Sequence, residues 1–511
     1  MILADKPAKA AVEKVYEEKI LDQYSINADG IPVNIRLIQA RDFVPLYELT
    51  IPGLGEGTKL VLNTLKGELI TEVKLDVSEL INPRLAQAVK RKFEDKALRL
   101  LERHFMTLSD ESKRILASYL IQQMLGLGEL EPPLHDDQLE EIVVNNSEEP
   151  VWVYHKAYGW CKTNIRLRTE EQVYEHAAAI GRRIGKQITM LNPLMDAHLP
   201  TGERVNATLF PVSVRGNTIT IRKFARNPWT MTLLMEKNTI SPEVAALIWL
   251  CFQNELSVLV SGGTASGKTS FLNAISVFIP PNQRIISIED TRELTLPTFF
   301  QWVPMCTREA NVEGKGEVTM LDLLVNSLRQ RPDRMLVGEI RRQKEAEVLF
   351  EAMHTGHSVY ATVHADNAGD TITRLVNPPI NVPKAMLDAV SAIVVQFRHR
   401  RLGIRRVLEF AEVLKGGDVN VLYRWDLRSD AIKEVNELSV LADTLALYAG
   451  MTRQEISDSV NEKSQILKWL LKNGVKDVDD VGLVIARYYK NPDEVHAIVD
   501  KGEPWNRDAF W

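Results

Sequence analysis

The stretch SVLVSGGTASGKTS, residues 257–270, decides the fold class of this chain. An apolar run, Ser257–Val260, leads into a glycine-rich turn that fits the pattern G-x-x-x-x-G-K-[ST]. In that pattern the backbone N–H groups of the loop wrap phosphate, and the following helix adds positive potential at its N-terminus. The stretch therefore predicts a strand, a phosphate loop and a helix. The residues predicted to bind the nucleotide are Gly262, Gly263, Thr264, Ala265, Ser266, Gly267, Lys268, Thr269 and Ser270.

The sequence after this loop predicts a parallel sheet. Short apolar runs, RIISI, RMLV, SVYATV and AIVVQF, alternate with stretches of helical spacing. Strands that are apolar on both faces and are separated by helices are typical of a buried parallel sheet. Helical spacing returns over residues 430–500, as in SQILKWLLKNG, and predicts a C-terminal helical extension. The fold class is therefore α/β.

The N-terminal half predicts a second α/β region. Residues 85–126 have the pattern of two amphipathic helices separated by a capping signal at Ser109, and residues 139–165 alternate as strands do. The stretch ARNPWTMTLLMEKNTISPE has two prolines and no period, which indicates a linker. We predict four parts: a helical, variable region over 1–90, an α/β domain over 91–225, a linker over 226–237 and the phosphate-loop domain over 238–511.

Composition limits the compartment and the partners. The chain has 511 residues, with 45% hydrophobic and 25% charged residues and a net charge of −6, which disfavours nucleic acid as the main partner. Cys161, Cys251 and Cys306 have no spacing for a zinc site or a disulfide framework. The N-terminus lacks the apolar stretch of a signal peptide, and the longest apolar runs are too short to span a bilayer. We expect a cytoplasmic protein.

Acidic residues and a histidine follow the predicted strands. In open α/β sheets, ligands bind at the carboxyl ends of the strands. Lys268 would bind the β- and γ-phosphates. The acidic residues at the strand ends would hold Mg²⁺ or orient or deprotonate water, and the histidine would sense the γ-phosphate. Gly338 occupies the position where phosphate-loop enzymes usually have a metal-binding aspartate. The sequence therefore does not decide which acidic residue binds the metal. The metal candidates are Thr269, Glu289, Asp290 and Glu339, and the catalytic candidates here are Glu293, Glu339 and His364.

Four motifs together resemble the type II/IV secretion ATPases. They are GGTASGKT, ISIEDTREL, RQRPDRMLVGEIR and TGHSVYATVHADNAGDTITRL, and their order and spacing match that family. LMDAHLPTGERVNATLF, GNTITIRKF, YHKAYGWCKTNI and RRVLEFAEV are similar to its archaeal branch, and within that branch to the archaellum motor ATPases. The resemblance covers residues 95–500. Thr291 departs from it, since a proline is common at that position.

The resemblance implies roles for individual residues. It implies a sensor-like N-terminal domain before a RecA-like domain, with Glu293 activating water and Glu339 as the Walker B glutamate. His357, His364 and Arg374 match the histidine box. Arg204 and Arg222 match arginines that reach the phosphates, and Arg215 is a weaker candidate. For Arg222 and Lys223, charges that protect a strand edge are the alternative.

The resemblance also implies the function and the partners. It implies a homohexameric ATP hydrolase, using ATP and Mg²⁺, that drives assembly and rotation of an archaeal filament. Its partners would be a polytopic membrane platform protein, cytoplasmic accessory proteins and anionic lipid at the inner face of the membrane. Archaeal pilus assembly or secretion is an alternative within the family.

Two alternatives belong to other classes. The arginine-rich stretch RHRRLGIRR, residues 398–406, could grip nucleic acid in a translocase or ring helicase, or it could contact anionic lipid. A β-hairpin with charged edges explains it equally well. The other alternative is a nucleotide-gated scaffold with little hydrolysis, which the set of carboxylates disfavours. We expect no nucleic-acid partner.

Overall fold

Two mixed α/β units make up the chain, Met1–Ala225 and Arg226–Trp511. The computed structural model describes residues 19–39, 42–72, 86–199, 202–223, 228–310 and 314–510. Within those ranges each unit contains a nine-stranded sheet with helices packed on it, so the predicted α/β class is confirmed. The predictions for residues 1–18 and 73–85 fall outside the described ranges.

The N-terminal unit has one mixed sheet. Its strands are β1 (Lys19–Ala28), β2 (Ile31–Gln39), β3 (Leu46–Thr50), β4 (Leu139–Val144), β5 (Trp152–His155), β6 (Gly159–Thr163), β7 (Leu194–His198), β8 (Arg204–Thr208) and β9 (Thr218–Arg222). Their order in the sheet is β1-β2-β3-β6-β5-β4-β9-β8-β7. Its helices are α1 (Glu56–Glu72), α2 (Ala86–His104), α3 (Asp110–Leu125), α4 (Glu131–Leu134) and α5 (Glu170–Arg183).

The two helices predicted over residues 85–126 are confirmed as α2 and α3. The hydroxyl of Ser109 accepts a hydrogen bond from the backbone N–H of Ser112, so Ser109 caps α3 as its sequence position predicts. The predicted strands over 139–165 are β4, β5 and β6. Gly159 turns the chain between the last two with a φ of 70°, a conformation that glycine adopts at low cost.

The helical prediction for residues 1–90 is wrong for the strands β1, β2 and β3. Ile31, Val33 and Ile35 alternate along β2 and are fully buried. A period of two places such residues on one face of a sheet, and that signal outweighs weak helical spacing. Because β3 pairs with β6 in parallel, these strands extend the sheet of the N-terminal unit.

The second unit is built on the predicted parallel sheet. Its strands are β10 (Val258–Gly262), β11 (Arg284–Glu289), β12 (Gln301–Cys306), β13 (Arg334–Val337), β14 (Ser358–Val363), β15 (Ala392–His399), β16 (Ile404–Val413), β17 (Val419–Asp426) and β18 (Ala431–Glu434). The order is β12-β11-β13-β14-β10-β15-β16-β17-β18. The first six strands in this order, β12-β11-β13-β14-β10-β15, run parallel to one another. β15 and β16 form an antiparallel hairpin, as one interpretation of the arginine-rich stretch predicts.

Helices cover both faces of this sheet. They are α6 (Met231–Glu236), α7 (Pro242–Gln253), α8 (Lys268–Ser276), α9 (Met320–Ser327), α10 (Gln343–His354), α11 (Ala368–Val376), α12 (Val440–Ala449), α13 (Arg453–Lys472), α14 (Val478–Lys490) and α15 (Pro492–Lys501). Every residue of β10, β13 and β14 is buried. The central position of β10 therefore places the following loop in the middle of the sheet's carboxyl edge.

The predicted linker is wrong where it includes α6. The hydroxyl of Thr230 accepts a hydrogen bond from the backbone N–H of Leu233 and caps this helix. Met231 and Met235 are buried in the core of the second unit. Six residues are too few to show a helical period, so the sequence pattern did not reveal the helix.

The C-terminal extension is helical from Val440 onward, as predicted, but Ala431–Glu434 first completes the sheet as β18. The last residues pack on α13, since the rings of Trp505 and Phe510 lie 6.2 and 5.8 Å from that of Trp469. Among the helices of the described ranges, none is long and apolar enough to cross a membrane.

Candidate active site

The loop between β10 and α8 requires glycine at both ends. A Cβ on Gly262 would lie 2.4 Å from the carbonyl oxygen of Gln396 on the neighbouring β15. Gly267 has a φ of 96° and forms the N-cap of α8. Both positions exclude larger residues, one by close approach of another strand and one by backbone conformation. The sequence motif thus corresponds to a tight loop that ends at a helix N-terminus.

Lys268 begins α8 and turns back over the loop. Its Nζ donates to the carbonyl oxygens of Gly262 and Gly263 at 2.9 and 3.1 Å. Burial lowers the pKa of Lys268, and the charges of Glu339, Asp366 and Glu293 act in the opposite direction. A half-buried ammonium beside a loop of backbone N–H groups is suited to phosphate oxygens.

Glu289 ends β11 and holds the segment that carries Glu293. One carboxylate oxygen of Glu289 accepts backbone N–H groups from Glu293 at 2.9 Å and from Leu294 at 3.1 Å. Its other oxygen is buried and has no hydrogen-bond partner in the described structure. Burial raises the pKa of Glu289 to about 7. Glu289, predicted as a metal ligand, therefore positions the exposed Glu293.

Arg341 joins the two remaining acidic candidates. Its Nε and Nη2 donate to Glu339 Oε2 at 2.9 and 2.7 Å, and its Nη1 pairs with Asp290. Asp290 also accepts from the hydroxyl of Thr307 at 3.3 Å. The carboxyl ends of β11 and β13 thus come together as expected, through an arginine that the sequence reasoning did not select.

The donor set suits a cation that takes few ligands from the protein. Across the described ranges, no group of three or more histidine, cysteine, aspartate or glutamate residues is placed to hold a metal. Mg²⁺ commonly keeps water and phosphate ligands beside one or two protein oxygens. Thr269, in the first turn of α8, and Glu339, whose charge acts on Lys268, fit that requirement.

The histidines predicted together lie at opposite ends of β14. His364 follows the strand, and its Nε2 is 3.0 Å from the hydroxyl of Thr264 in the loop. Burial, and then the charge of Lys268, lower the pKa of His364. His357 precedes the strand and contacts Ala352 O at 3.2 Å. A six-residue strand separates the two histidines by roughly 20 Å, so the structure does not bring His357 to the loop.

Arg374 lies on α11 with an exposed side chain, and its charge also lowers the pKa of His364, after burial and Lys268. Of the histidine-box candidates, it is therefore His364 that contacts the loop, while Arg374 acts on His364 through its charge.

Two residues beside the loop are not among the candidates that the sequence predicts. The Oδ1 of Asp366 lies 3.0 Å from the position of a Cβ on Gly263. Arg405 donates from Nε to the carbonyl oxygen of Ala265 at 3.3 Å. Asp366 stands two residues after His364, and this spacing could have indicated it. Arg405 belongs to the arginine-rich stretch, whose pattern indicates nucleic acid, lipid or a charged strand edge and not a contact with the phosphate loop.

The N-terminal arginines form their own group. Arg204 on β8 and Arg222 on β9 are register partners in an antiparallel pair. Arg204 pairs with Asp196 through Nε at 3.2 Å and Nη2 at 2.5 Å. Arg215 pairs with Glu149 at 2.8 Å. The two stronger candidates are therefore neighbours on one sheet, although they are 18 positions apart in the sequence.

Residues 125–405, more than half of the chain, match the family model described as type II/IV secretion system protein. The chain belongs to this family. An uncharacterized protein of Methanocaldococcus jannaschii is 36% identical over 383 residues, which cover 73% of this chain and 69% of the relative. The type IV secretion system protein PtlH of Bordetella pertussis is 31% identical over 303 residues, 53% of this chain and 88% of its own.

Among solved structures, the ATPase DotB of Legionella pneumophila is 17% identical, with coverage of 74% of this chain and 92% of that one and a TM-score of 0.42. The family match spans the phosphate loop, the carboxylates, His364 and Arg405. All of these residues therefore lie in the part of the chain that the type II/IV secretion proteins share.

Proposed function

We propose that this member of the type II/IV secretion family hydrolyses ATP as a ring of six and drives assembly and rotation of an archaeal filament. The observation that carries the ATPase proposal is the set of groups around Lys268. Its ammonium lies over the glycine-rich loop, and the charges of Glu339, Asp366 and Glu293 act on it. A phosphate-binding cation beside acids that can serve a metal and a water is the arrangement that hydrolysis needs.

The residues around the phosphate loop have different roles in the proposed reaction. The loop and Lys268 bind the β- and γ-phosphates, and Thr269 with Glu339 would hold Mg²⁺. Mg²⁺ would neutralise charge that develops on the transferred phosphate. Glu293 accepts a proton from the attacking water. The hydrogen bond from the backbone N–H of Glu293 to the Glu289 carboxylate holds Glu293 in position. His364 bonds Thr264 and would sense the γ-phosphate.

The filament is the finer part of the proposal. The motifs in the N-terminal half are similar to those of archaellum motors, and a relative in an archaeon is 36% identical. The Bordetella relative is named as a type IV secretion system protein, which keeps secretion as the alternative, along with archaeal pilus assembly. A motor of any of these kinds would work at the inner face of the membrane, on a polytopic platform protein, with accessory proteins and anionic lipid as further partners.

A nucleic-acid translocase is less well supported. Arg406 is buried, and its guanidinium pairs with Asp430 at 2.7 Å through two nitrogens. Arg405 contacts the phosphate loop. Two arginines of the stretch proposed to grip nucleic acid are thus used within the protein.

The proposal is tested first with purified protein and then in cells. We expect Mg²⁺-dependent phosphate release from ATP that double-stranded or single-stranded DNA does not stimulate. Deletion of the gene should abolish swimming filaments. Loss of adhesive pili or of a secreted protein instead would select the alternatives, and strong stimulation by DNA would overturn the motor proposal in favour of a translocase.

We expect Arg222→Ala and Arg222→Lys to lower turnover at least about tenfold, with nucleotide affinity nearly unchanged. Lysine keeps the charge but lacks the planar fork that binds two phosphate oxygens, so it should not restore the rate. Turnover and ATP affinity are measured for both variants, with the exposed Arg166→Ala of the same unit as a control. A full rate in Arg222→Ala would remove this arginine from the reaction.

A further inference from the structure

Arg405 lies along the outer side of the phosphate loop. It is the second residue of β16, and its Nε donates to Ala265 O at 3.3 Å. Its Cδ is 3.6 Å from the position that a Cβ on Gly267 would occupy. The side chain therefore passes from the middle of the loop to the N-terminus of α8.

The neighbouring residue holds Arg405 in this orientation. Arg406 is buried, pairs with Asp430 and donates to the carbonyl oxygen of Lys237 at 3.0 Å. Successive side chains of a strand point to opposite faces. With Arg406 bound on one face, Arg405 is directed to the face where the loop lies. The orientation of Arg405 is thus built into the hairpin.

Among the described residues, no carboxylate balances the charge of Arg405. Its Nε is bonded to a neutral carbonyl, and no carboxylate of the described structure forms an ion pair with it. The loop's N–H groups and the N-terminus of α8 already make this region positive. A further cation there is favourable only when an anionic or electron-rich group binds beside it.

Strand order shows which part of a nucleotide Arg405 can serve. Glu293, Glu339 and His364 follow β11, β13 and β14, which lie on one side of β10. Arg405 belongs to the β15–β16 hairpin on the other side. Hydrolysis takes place at the γ-phosphate, where metal and water are needed. The side of the loop next to Arg405 is therefore left for the rest of the nucleotide.

We infer that Arg405 binds a portion of the nucleotide that ATP and ADP have in common, at the α-phosphate, ribose and base. This inference rests on the proposed ATPase function. A guanidinium can pair with phosphate oxygens, where its charge contributes, or it can stack its plane on a base. Arg405 then sets nucleotide affinity, while the carboxylate side sets the rate.

The test compares Arg405→Ala and Arg405→Lys with the wild-type chain. We expect Arg405→Ala to weaken ATP and ADP by the same factor, about tenfold, the loss expected for one charge-assisted contact. Turnover at saturating ATP should fall much less than affinity. Arg401→Ala, an exposed arginine in the turn of the same hairpin, serves as the matched control and should bind both nucleotides normally. Thermal melting of each variant checks the fold.

Inorganic tripolyphosphate distinguishes the two contacts. If Arg405 pairs with phosphate, Arg405→Ala also weakens tripolyphosphate and Arg405→Lys recovers part of the affinity. If it stacks on the base, tripolyphosphate binding is unchanged and lysine recovers little. Unchanged affinity for both ATP and ADP, or a loss for ATP alone, overturns the inference. Failure of the wild-type chain to bind any nucleotide would instead overturn the proposed function.

Discussion

Replacing Lys268 with alanine should lower ATP turnover by on the order of 100- to 1000-fold, as removal of one hydrogen-bond donor to the developing charge of a transition state does elsewhere. The Nζ of Lys268 bonds only loop carbonyls, at 2.9 and 3.1 Å, and its other interactions in the described structure are with charges around the site. Its loss therefore removes phosphate binding and leaves the hydrophobic core intact. Phosphate release under saturating ATP measures the effect.

The control for this change is Lys472→Ala, which removes an exposed lysine at the end of α13. Both variants should melt within a few degrees of the wild-type chain. A Lys268→Ala protein that melts normally and hydrolyses ATP at close to the wild-type rate would end the assignment of the phosphate loop.

The second large effect is expected from the two catalytic carboxylates. Glu293→Gln removes the proposed base and should reduce kcat by about 100-fold or more, a typical loss for general-base catalysis. Glu339→Gln removes a proposed Mg²⁺ ligand and should also raise the Mg²⁺ concentration needed for half-maximal rate. Nucleotide affinity should change much less than kcat in both, because the loop and Lys268 remain. Rates across a Mg²⁺ titration separate the two roles.

A matched control is Glu351→Gln, an exposed glutamate near the end of α10. It should leave rate and Mg²⁺ dependence unchanged. Full activity in Glu293→Gln would show that another group accepts the proton from water. An unaltered Mg²⁺ dependence in Glu339→Gln would show that Glu339 does not bind the metal. Glu289 and Asp290 would then be the remaining candidates for its acidic ligand.

Local sequence patterns predicted most of the second unit correctly. Strands buried on both faces produce unbroken apolar runs, and the glycine positions of the loop follow from local backbone geometry, so both signals lie within a few residues. The carboxylates and His364 could be selected because the ends of parallel strands converge at one edge. The same local signals failed for β1–β3 and α6, where alternation was overlooked or the element was too short to show a period.

By itself, the sequence determined the phosphate loop, the parallel sheet and the group of strand-end residues, because each depends on a short pattern. Only the tertiary structure decided which distant side chains meet. It joined Asp290 to Glu339 through Arg341, and it placed Arg405 beside Ala265, 140 positions earlier in the sequence. These contacts arise from strand order and from which face each residue takes, and a one-dimensional pattern does not specify how separate strands pair.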